Sequence, residues 1–497
     1  MSNLNKLNKK LSMYVCGPTV YDDSHIGHAR TYITVDIIHR VMRYFNKETL
    51  LVMNITDIDD KIINKAKEAN LDWKMVAKKY ENSFFDSMYK LNVLYPHVII
   101  RVSEVIPEII KYIQKIIDNG FAYPTKDGSI YFDTGKYKDA GYEYITDNSE
   151  ELDKEMFPPE VSEISVNMNE KGVRNTKKNA RDFSLWKGRK YDEVGFDAMF
   201  DYNSNQLKSY GRPGWHIECS TMIHETLGDH FDIHFGGIDL KFPHHYNENA
   251  QANAFHHPKF MKNKWCDEFR HTGHLCIDGL KMSKSLKNFT TINDILKITS
   301  PNVLRWLFLK YKWNEPMNYS EETLKEAKFL DEQVNQLLKR TQNFPFSRKD
   351  IKFLSKEKEW NQYLEKLRTE ILFHLESLEF DSFVNLIQES IKRFNVYISL
   401  ESPNESLVNH FVSDIKIFLE VLGFNYHKKS ESQNMNGCMN ILVETRCDIR
   451  QLTRNKEIGK ETKNLLFDIL DKQRKNLDEQ NIQLQDTKDS SLWWIKE

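Results

Sequence analysis

No apolar run in this sequence approaches the roughly eighteen residues that a membrane-crossing helix needs, so no membrane-spanning segment is expected. Charge of one sign is lacking too. Seventy Lys and Arg against 72 Asp and Glu leave a formal net charge of −2, so composition does not advertise nucleic acid and any RNA surface must be a local patch. Cysteine is scarce: the six residues at 16, 219, 266, 276, 438 and 447 follow no disulfide framework, and no secretory signal accompanies them. They read as reduced thiols in a cytoplasmic protein. The metal-binding spacings CxxC and HExxH are absent, and there are no internal repeats. The stretch Met1 to Ser12 is rich in Asn and Lys without acids, yet it is too short to read as a transit peptide.

What is present is 497 residues, 40% of them hydrophobic, enough for roughly two to four domains with sizeable cores. Met13-Tyr14-Val15-Cys16-Gly17-Pro18-Thr19 reads as a short buried strand stopped by Gly-Pro. A polar turn follows from Tyr21, with Ser24 as the expected N-cap of a helix whose apolar residues Ile33, Ile37, Ile38, Val41 and Met42 recur at helical spacing. The tetrapeptide His25-Ile26-Gly27-His28 therefore opens that helix. Unpaired N–H groups and a positive dipole at such an end suit a polyphosphate, and Gly27 leaves room for a nucleotide against the backbone. The imidazoles of His25 and His28 could donate to phosphate oxygens as charge builds on phosphorus. The plainer reading makes them ordinary polar residues of a first turn.

Some 250 residues later, Asp278-Gly279 marks a turn before Lys281-Met282-Ser283-Lys284-Ser285. A loop carrying Lys281 and Lys284 could close over the outer phosphates and stabilise departing pyrophosphate, although most lysine pairs are merely solvated. Cys16 ends the strand feeding the helix, where open α/β sheets bind ligands. Cys219 lies in Gly211-Arg212-Pro213-Gly214-Trp215-His216-Ile217-Glu218-Cys219-Ser220, and in Phe242-Pro243-His244-His245-Tyr246-Asn247-Glu248 the residues His244 and Glu248 fall one helical turn apart. Two thiolates, an imidazole and a carboxylate would suit Zn²⁺, but no spacing demands it and a buried structural cysteine is the commoner fate of a lone thiol.

The HIGH and KMSKS segments, in this order, resemble the signatures of class I aminoacyl-tRNA synthetases. The surrounding residues resemble the cysteinyl-tRNA synthetase family, densely over 13–330, thinly to about 430 and again at the C-terminus. The resemblance implies an ATP site built from His25, Gly27, His28, Gly236, Gly237, Asp239, Lys281 and Lys284, with Phe235 standing where the family has a third glycine. It implies Zn²⁺ on Cys16, Cys219, His244 and Glu248, binding the substrate thiol directly. His245 is the neighbour that competes with His244, and helical phase favours His244 if Glu248 also binds. It further implies a cysteine pocket with Thr19, Thr56 and Trp215, Mg²⁺ accompanying ATP, and cysteine tRNA, L-cysteine and ATP as partners. The form KMSKSLKNF and Ile99-Ile100-Arg101-Val102-Ser103-Glu104 resemble the eukaryotic cytosolic type in compact form.

The expected fold is a Rossmann-like, doubly wound parallel sheet split by a connective insertion, then an all-α bundle and a small C-terminal domain. The expected divisions are 1–100 and 188–300 for the catalytic halves, 101–187 for the insertion, 301–425 for the helical bundle and 426–497 for anticodon recognition. Residues 138–180 read as a surface insertion lacking periodicity. Gly188 to Tyr210 departs from the family and reads as a loop. Helices broken near Pro345 and Pro403 run to about Leu422, and Arg446, Arg450, Arg454, Lys456, Lys460 and Lys463 could form a tRNA patch or a solvated face. A monomer is expected. The alternatives are a ligase passing cysteine to a small amine, against which the long helical region argues, and an inactive RNA- or protein-binding descendant, against which the intact motifs argue.

Overall fold

The apolar run ahead of Cys16 forms strand β1 (Leu11–Val15), whose Met13, Tyr14 and Val15 are wholly buried. Such two-faced burial belongs to a central strand of a parallel sheet. The structure is a computed structural model and describes all residues except 1–9, 145–176, 190–192, 260–263, 278–279, 282–288, 343–352, 400–402, 427–430, 455–457, 480–481, 487–490 and 496–497. The chain divides into two compact units, Met1–Asn425 and Tyr426–Glu497.

After β1 the helix Ile26–Tyr44 crosses to β2 (Thr49–Ile55), and two further helices lead to β3 (Val98–Arg101). The chain then leaves this sheet. β4 (Ala122–Pro124), β5 (Ile130–Phe132), β6 (Ser184–Gly188), β7 (Phe196–Tyr202) and β8 (Asn205–Pro213) build a separate antiparallel sheet in the order β4-β5-β6-β8-β7. It returns through the helix Trp215–Leu227 to β9 (Phe231–Gly237), then through the helix Tyr246–Phe255 to β10 (Cys266–Thr272). The completed parallel sheet reads β10-β9-β1-β2-β3, the doubly wound arrangement expected from the sequence. Both sheets pack on one apolar core that includes Tyr14, Val52, Trp186, Ile217 and Phe231.

Two expectations change here. Gly188 to Tyr210 is not a loop: Phe196–Tyr202 and Asn205–Pro213 pair as a hairpin around Asn203 and Ser204. Both turn residues have positive φ (49° and 64°), the pattern of a tight primed turn. The stretch from Lys138 is likewise structured up to Tyr144. Thr134–Asp139 is helical, and Tyr142 stacks on Tyr137 with ring centroids 4.6 Å apart, while Tyr144 is buried and donates to Asn247 Oδ1 at 2.7 Å. Residues 145–176 of that stretch lie outside the described residues.

A small sheet of β11 (Leu275–Ile277), β12 (Leu280–Lys281) and β13 (Met317–Tyr319) precedes the helices Glu321–Gln342, Ser355–Glu376, Phe380–Tyr397 and Glu405–Val421. Arg305, on the helix Pro301–Leu309, is fully buried against Asp36 of the Ile26 helix at 2.6 Å and donates to the carbonyls of Leu91, Asn92 and Leu422. A buried charge in this position is held by its partners, and removing one costs about 3–5 kcal/mol.

The second unit has helices Glu431–Arg454 and Lys460–Asp478, then a hairpin of β14 (Ile482–Asp486) and β15 (Ser491–Ile495). Arg446 does not belong to a solvated basic face. It is 1% exposed and grips Asp486 through two bonds of 2.9 and 2.8 Å while donating to the Leu470 carbonyl at 2.7 Å. Lys456 lies outside the described residues. No helix among the described residues is long and apolar enough to cross a membrane.

Candidate functional site

β1 and β9 are neighbours whose connections run to opposite sides of the sheet, which makes the gap at their carboxyl ends the place where such sheets bind ligands. Cys16 is the first residue past β1, and its N–H donates to the Phe235 carbonyl at 3.1 Å. Gly17 then passes so close to β2 that an added Cβ would lie 1.7 Å from the Asn54 carbonyl oxygen. Only glycine fits. This contact draws the next turn onto β2, where Thr19 and Thr56 pair in a parallel bridge. The two threonines assigned to the pocket are therefore adjacent.

Cys219 comes to the same place on the Trp215 helix, and Glu248 on the first turn of the Tyr246 helix. The Sγ atoms of Cys16 and Cys219 are 3.9 Å apart, and donor atoms of Cys16, Cys219, His244 and Glu248 all lie within 4.8 Å of one another, every residue buried. Glu248 Oε1 is 2.7 Å from His244 Nε2, yet the two are not aligned as a hydrogen bond and this buried oxygen makes none. A buried carboxylate oxygen left without a hydrogen bond is what a bound cation would satisfy. These four residues could hold a metal ion.

Around them stand further histidines, of which the sequence singles out only His245. His216 Nδ1 meets His244 Nδ1 at 3.0 Å, His234 Nε2 meets Glu248 Oε2 at 2.7 Å, and His245 places Nε2 3.4 Å from Cys16 Sγ and Nδ1 2.9 Å from His271 Nε2. Cys16, His234, His245 and Glu248 form a second convergent set within 4.8 Å, so His245 is a true neighbour of the centre. The available signal was density: His216, His234, His244, His245 and His271 fall within 56 residues, more imidazole than a core needs. Trp215 stacks on His244 with centroids 4.3 Å apart.

Electrostatics mark the centre as a place for positive charge. A hydrogen bond from Cys16 pulls Cys219 down to about 6, against burial, while burial pushes the Cys16 thiol well above its usual range. Burial disfavours the His244 cation, but Glu248 and Cys219 outweigh it and hold this imidazole up at about 10. Burial also opposes the Glu248 carboxylate, which His244 and His234 nevertheless keep ionised well below the usual range. The His244 imidazolium thus balances a thiolate and a carboxylate buried together, in the place that a bound cation would take.

The HIGH turn is built differently. His25, not Ser24, is the N-cap of the Ile26 helix, because its extended backbone lets Nδ1 accept from His28 N–H at 3.4 Å. His28 Nδ1 in turn accepts from His25 N–H at 3.2 Å, and the rings stack with centroids 3.8 Å apart. With both Nδ1 atoms accepting, a neutral ring carries its proton on Nε2, where it can be donated to a ligand. Ser24 and Ile26 instead fasten the turn to the segment after the KMSKS residues: Ile292 N–H donates to the Ser24 carbonyl at 2.8 Å and Ile26 N–H to the Thr290 carbonyl at 3.0 Å. Lys281 lies on β12, opposite Cys276, and Lys284 lies outside the described residues. Arg30 fixes the same helix to the start of β11 by donating to the carbonyls of His274 and Glu315 at 2.5 and 2.6 Å.

Gly236 and Gly237 end β9 between these two regions. A Cβ on Gly236 would meet His245 Cε1 at 2.7 Å, and one on Gly237 would meet Asp239 Oδ1 at 2.4 Å. Phe235, in place of a third glycine, is buried and points into the core. Asp239 stands exposed beyond them on a short turn.

Residues 3–329 match the family model of the class I (C) tRNA synthetase catalytic domain. The chain is 47% identical to a cysteine–tRNA ligase of Acanthamoeba polyphaga mimivirus, over 97% of this chain and 95% of that one. It is 39% identical to a cysteine–tRNA ligase of Encephalitozoon cuniculi (90% and 88%) and 36% identical to the cytoplasmic one of Dictyostelium discoideum (92% and 70%). Among solved structures, Mycobacterium tuberculosis methionyl-tRNA synthetase in complex with methionyl-adenylate superimposes with a TM-score of 0.55 at 15% identity, covering 83% of this chain and 89% of that one. That likeness speaks for the fold.

Proposed function

The chain belongs to the cysteine–tRNA ligase family of class I synthetases, and from this premise we propose how its residues divide the work. The reaction is the ATP-dependent joining of cysteine to tRNA. The cysteine carboxylate attacks the α-phosphorus of ATP, the bond to pyrophosphate breaks, and the cysteinyl group then passes from AMP to a hydroxyl at the tRNA 3′ end.

Cys16, Cys219, His244 and Glu248 hold one zinc ion in this reading. The sulfur–sulfur separation of 3.9 Å supports it, being close to the edge of about 3.8 Å in a tetrahedron with bonds of ~2.3 Å. When bound, zinc supplies a Lewis-acid centre that favours a thiolate over a hydroxyl. That preference matters because pocket shape separates near-isosteres by only about 1–3 kcal/mol. Trp215 walls the side-chain space, while Thr19 and Thr56 orient the amino acid toward the HIGH turn.

His25 and His28 donate from Nε2 to the phosphates as charge develops, and the helix start adds its dipole. Lys281 and Lys284 neutralise the departing pyrophosphate, with Mg²⁺ accompanying ATP. Gly236, Gly237 and Asp239 receive the adenosine. The bundle of 301–425 and the unit of 426–497 meet the tRNA stem and anticodon, and the protein works as a cytoplasmic monomer.

One observation carries the site assignment: four soft and anionic donors from three separate segments converge at the strand end that feeds the HIGH turn. Amino-acid-dependent exchange of pyrophosphate into ATP tests it, with cysteine against serine and before and after chelation. Exchange with cysteine alone, lost on zinc removal and restored by zinc, is expected. Zinc-independent exchange would discard the four-ligand site.

A further inference from the structure

The two helices that carry Cys219 and Glu248 bring a second group of donors together at their opposite ends. His224 stands in the last turn of the Trp215–Leu227 helix, Asp229 follows that helix, and His256 caps the Tyr246–Phe255 helix. Asp229 Oδ1 is 3.4 Å from His224 Nδ1 and 3.7 Å from His256 Nε2, and donor atoms of the three residues lie within 4.8 Å of one another. The His224 contact is not aligned as a hydrogen bond, and this buried Nδ1 makes none. The separations instead approach the edge of about 3.3–3.4 Å in a tetrahedron with metal–ligand bonds of ~2.0–2.1 Å.

The surroundings favour a cation. Both imidazoles hang from the carboxyl ends of helices, where the backbone dipole is negative. The His224 ring is held edge-on by Tyr112 at 5.8 Å and at a tilt by Phe255 at 4.9 Å, so its orientation is set without metal. Lys259 takes the other carboxylate oxygen, Oδ2, at 2.8 Å, leaving Oδ1 turned to the imidazoles. Asp229 is 44% exposed and Lys259 53%, which leaves the group open to solvent on that side.

We infer that His224 Nδ1, His256 Nε2 and Asp229 Oδ1 form a second site for a divalent transition-metal ion of the zinc class, with water completing the coordination. It contains no sulfur, so it is the harder and weaker of the two centres, and it ties together the far ends of the helices whose near ends hold Cys219 and Glu248.

The test is titration of the full chain, stripped by chelator, with Co²⁺ followed by absorption and equilibrium dialysis. Two equivalents are expected. One carries thiolate-to-cobalt charge-transfer absorption and disappears in Cys219→Ala, which separates its fate from that of the second. The other shows only ligand-field bands and is lost in His224→Gln with His256→Gln, with charge transfer retained. Asp229→Asn, a surface change, is expected to weaken it by about tenfold or more. Lys259→Gln removes a repelling charge and is expected to tighten it roughly threefold or more, which misfolding cannot imitate. A wild type without the sulfur-free equivalent overturns the site. So does an equivalent whose affinity ignores both Asp229→Asn and Lys259→Gln.

Discussion

The two five-stranded sheets share one apolar core yet treat polar groups in opposite ways. At the carboxyl ends of β1, β2 and β9 the parallel sheet buries Cys16, Asn54, Thr56 and His234, and the adjoining helices add Cys219, His244, His245 and Glu248. The antiparallel sheet buries Phe132, Trp186 and Phe200; its inner polar groups are satisfied within the sheet, while Arg212 at the end of β8 reaches out to Asp60. Trp186 Nε1 donates to Ser209 Oγ at 3.1 Å, and that hydroxyl donates onward to the Gly128 carbonyl at 2.7 Å. Parallel strands all stop at one edge and hand the chain to helix starts, so donors from distant segments collect there. Hairpins turn straight back and collect fewer. Chemistry therefore gathers on the first sheet, and the second contributes stability.

The comparison breaks most readily at Cys219. Cys219→Ala removes one of two sulfurs from the centre while leaving the HIGH turn and its clamp to Thr290 intact. Cysteine-dependent pyrophosphate exchange is expected to fall by about 10³-fold, several kcal/mol of lost polarisation and positioning, with ATP affinity retained. Steady-state exchange together with ATP titration reads both quantities. Near-normal cysteine activation would sink the zinc assignment and with it the division of labour between the sheets.

The converse change lies on β7. Phe200 is 1% exposed and meets Trp186 edge-on at 5.9 Å. Phe200→Ala opens a cavity among side chains that have little freedom to close it, and costs about 3–5 kcal/mol of stability. Urea unfolding measures this loss. The KM for cysteine and for ATP should stay put at temperatures where the variant is folded. A large rise in the cysteine KM with little loss of stability would show that the antiparallel sheet reaches into the site.

The same contrast governs what the sequence discloses. The HIGH turn is legible because it sits in a local pattern between a strand and a helix start, whereas the four donors follow no spacing and are named only through the resemblance to the family. Their meeting is not legible, since Cys16 and Cys219 are 203 positions apart and only the strand order brings them together. The capping of the first helix by His25 escaped because histidine is an uncommon N-cap, and Ser24 offered the more usual side chain. The hairpin of β7 and β8 is written in the alternation of Phe196, Ala198 and Phe200 before Asn203-Ser204, a period-two signal that the departure from the family pattern at that point obscures. Arg446 shows the reverse error. Charge alone suggested a surface, and only the fold supplies Asp486 to bury it against.

Acid sharpens the comparison by a smaller effect. The described strands of the antiparallel sheet contain no histidine, whereas the helix crossing from β1 to β2 carries His39, 1% exposed, with Nε2 2.8 Å from Thr49 Oγ1. Burial, helped by His97, pushes His39 down to about 4. In the unfolded chain it titrates near 6.5, so between those values the unfolded state binds the extra proton. Stability from the neutral imidazole is therefore fully present above about pH 6.5 and is lost as pH falls toward 4, to a limit of about 3 kcal/mol. His39→Gln keeps a partner for Thr49 without the titration. Urea unfolding of both proteins near pH 7 and near pH 4.5 should show the wild type losing more stability than the variant on acidification. Equal losses would mean that His39 titrates normally, and that the parallel sheet owes its acid sensitivity to other groups.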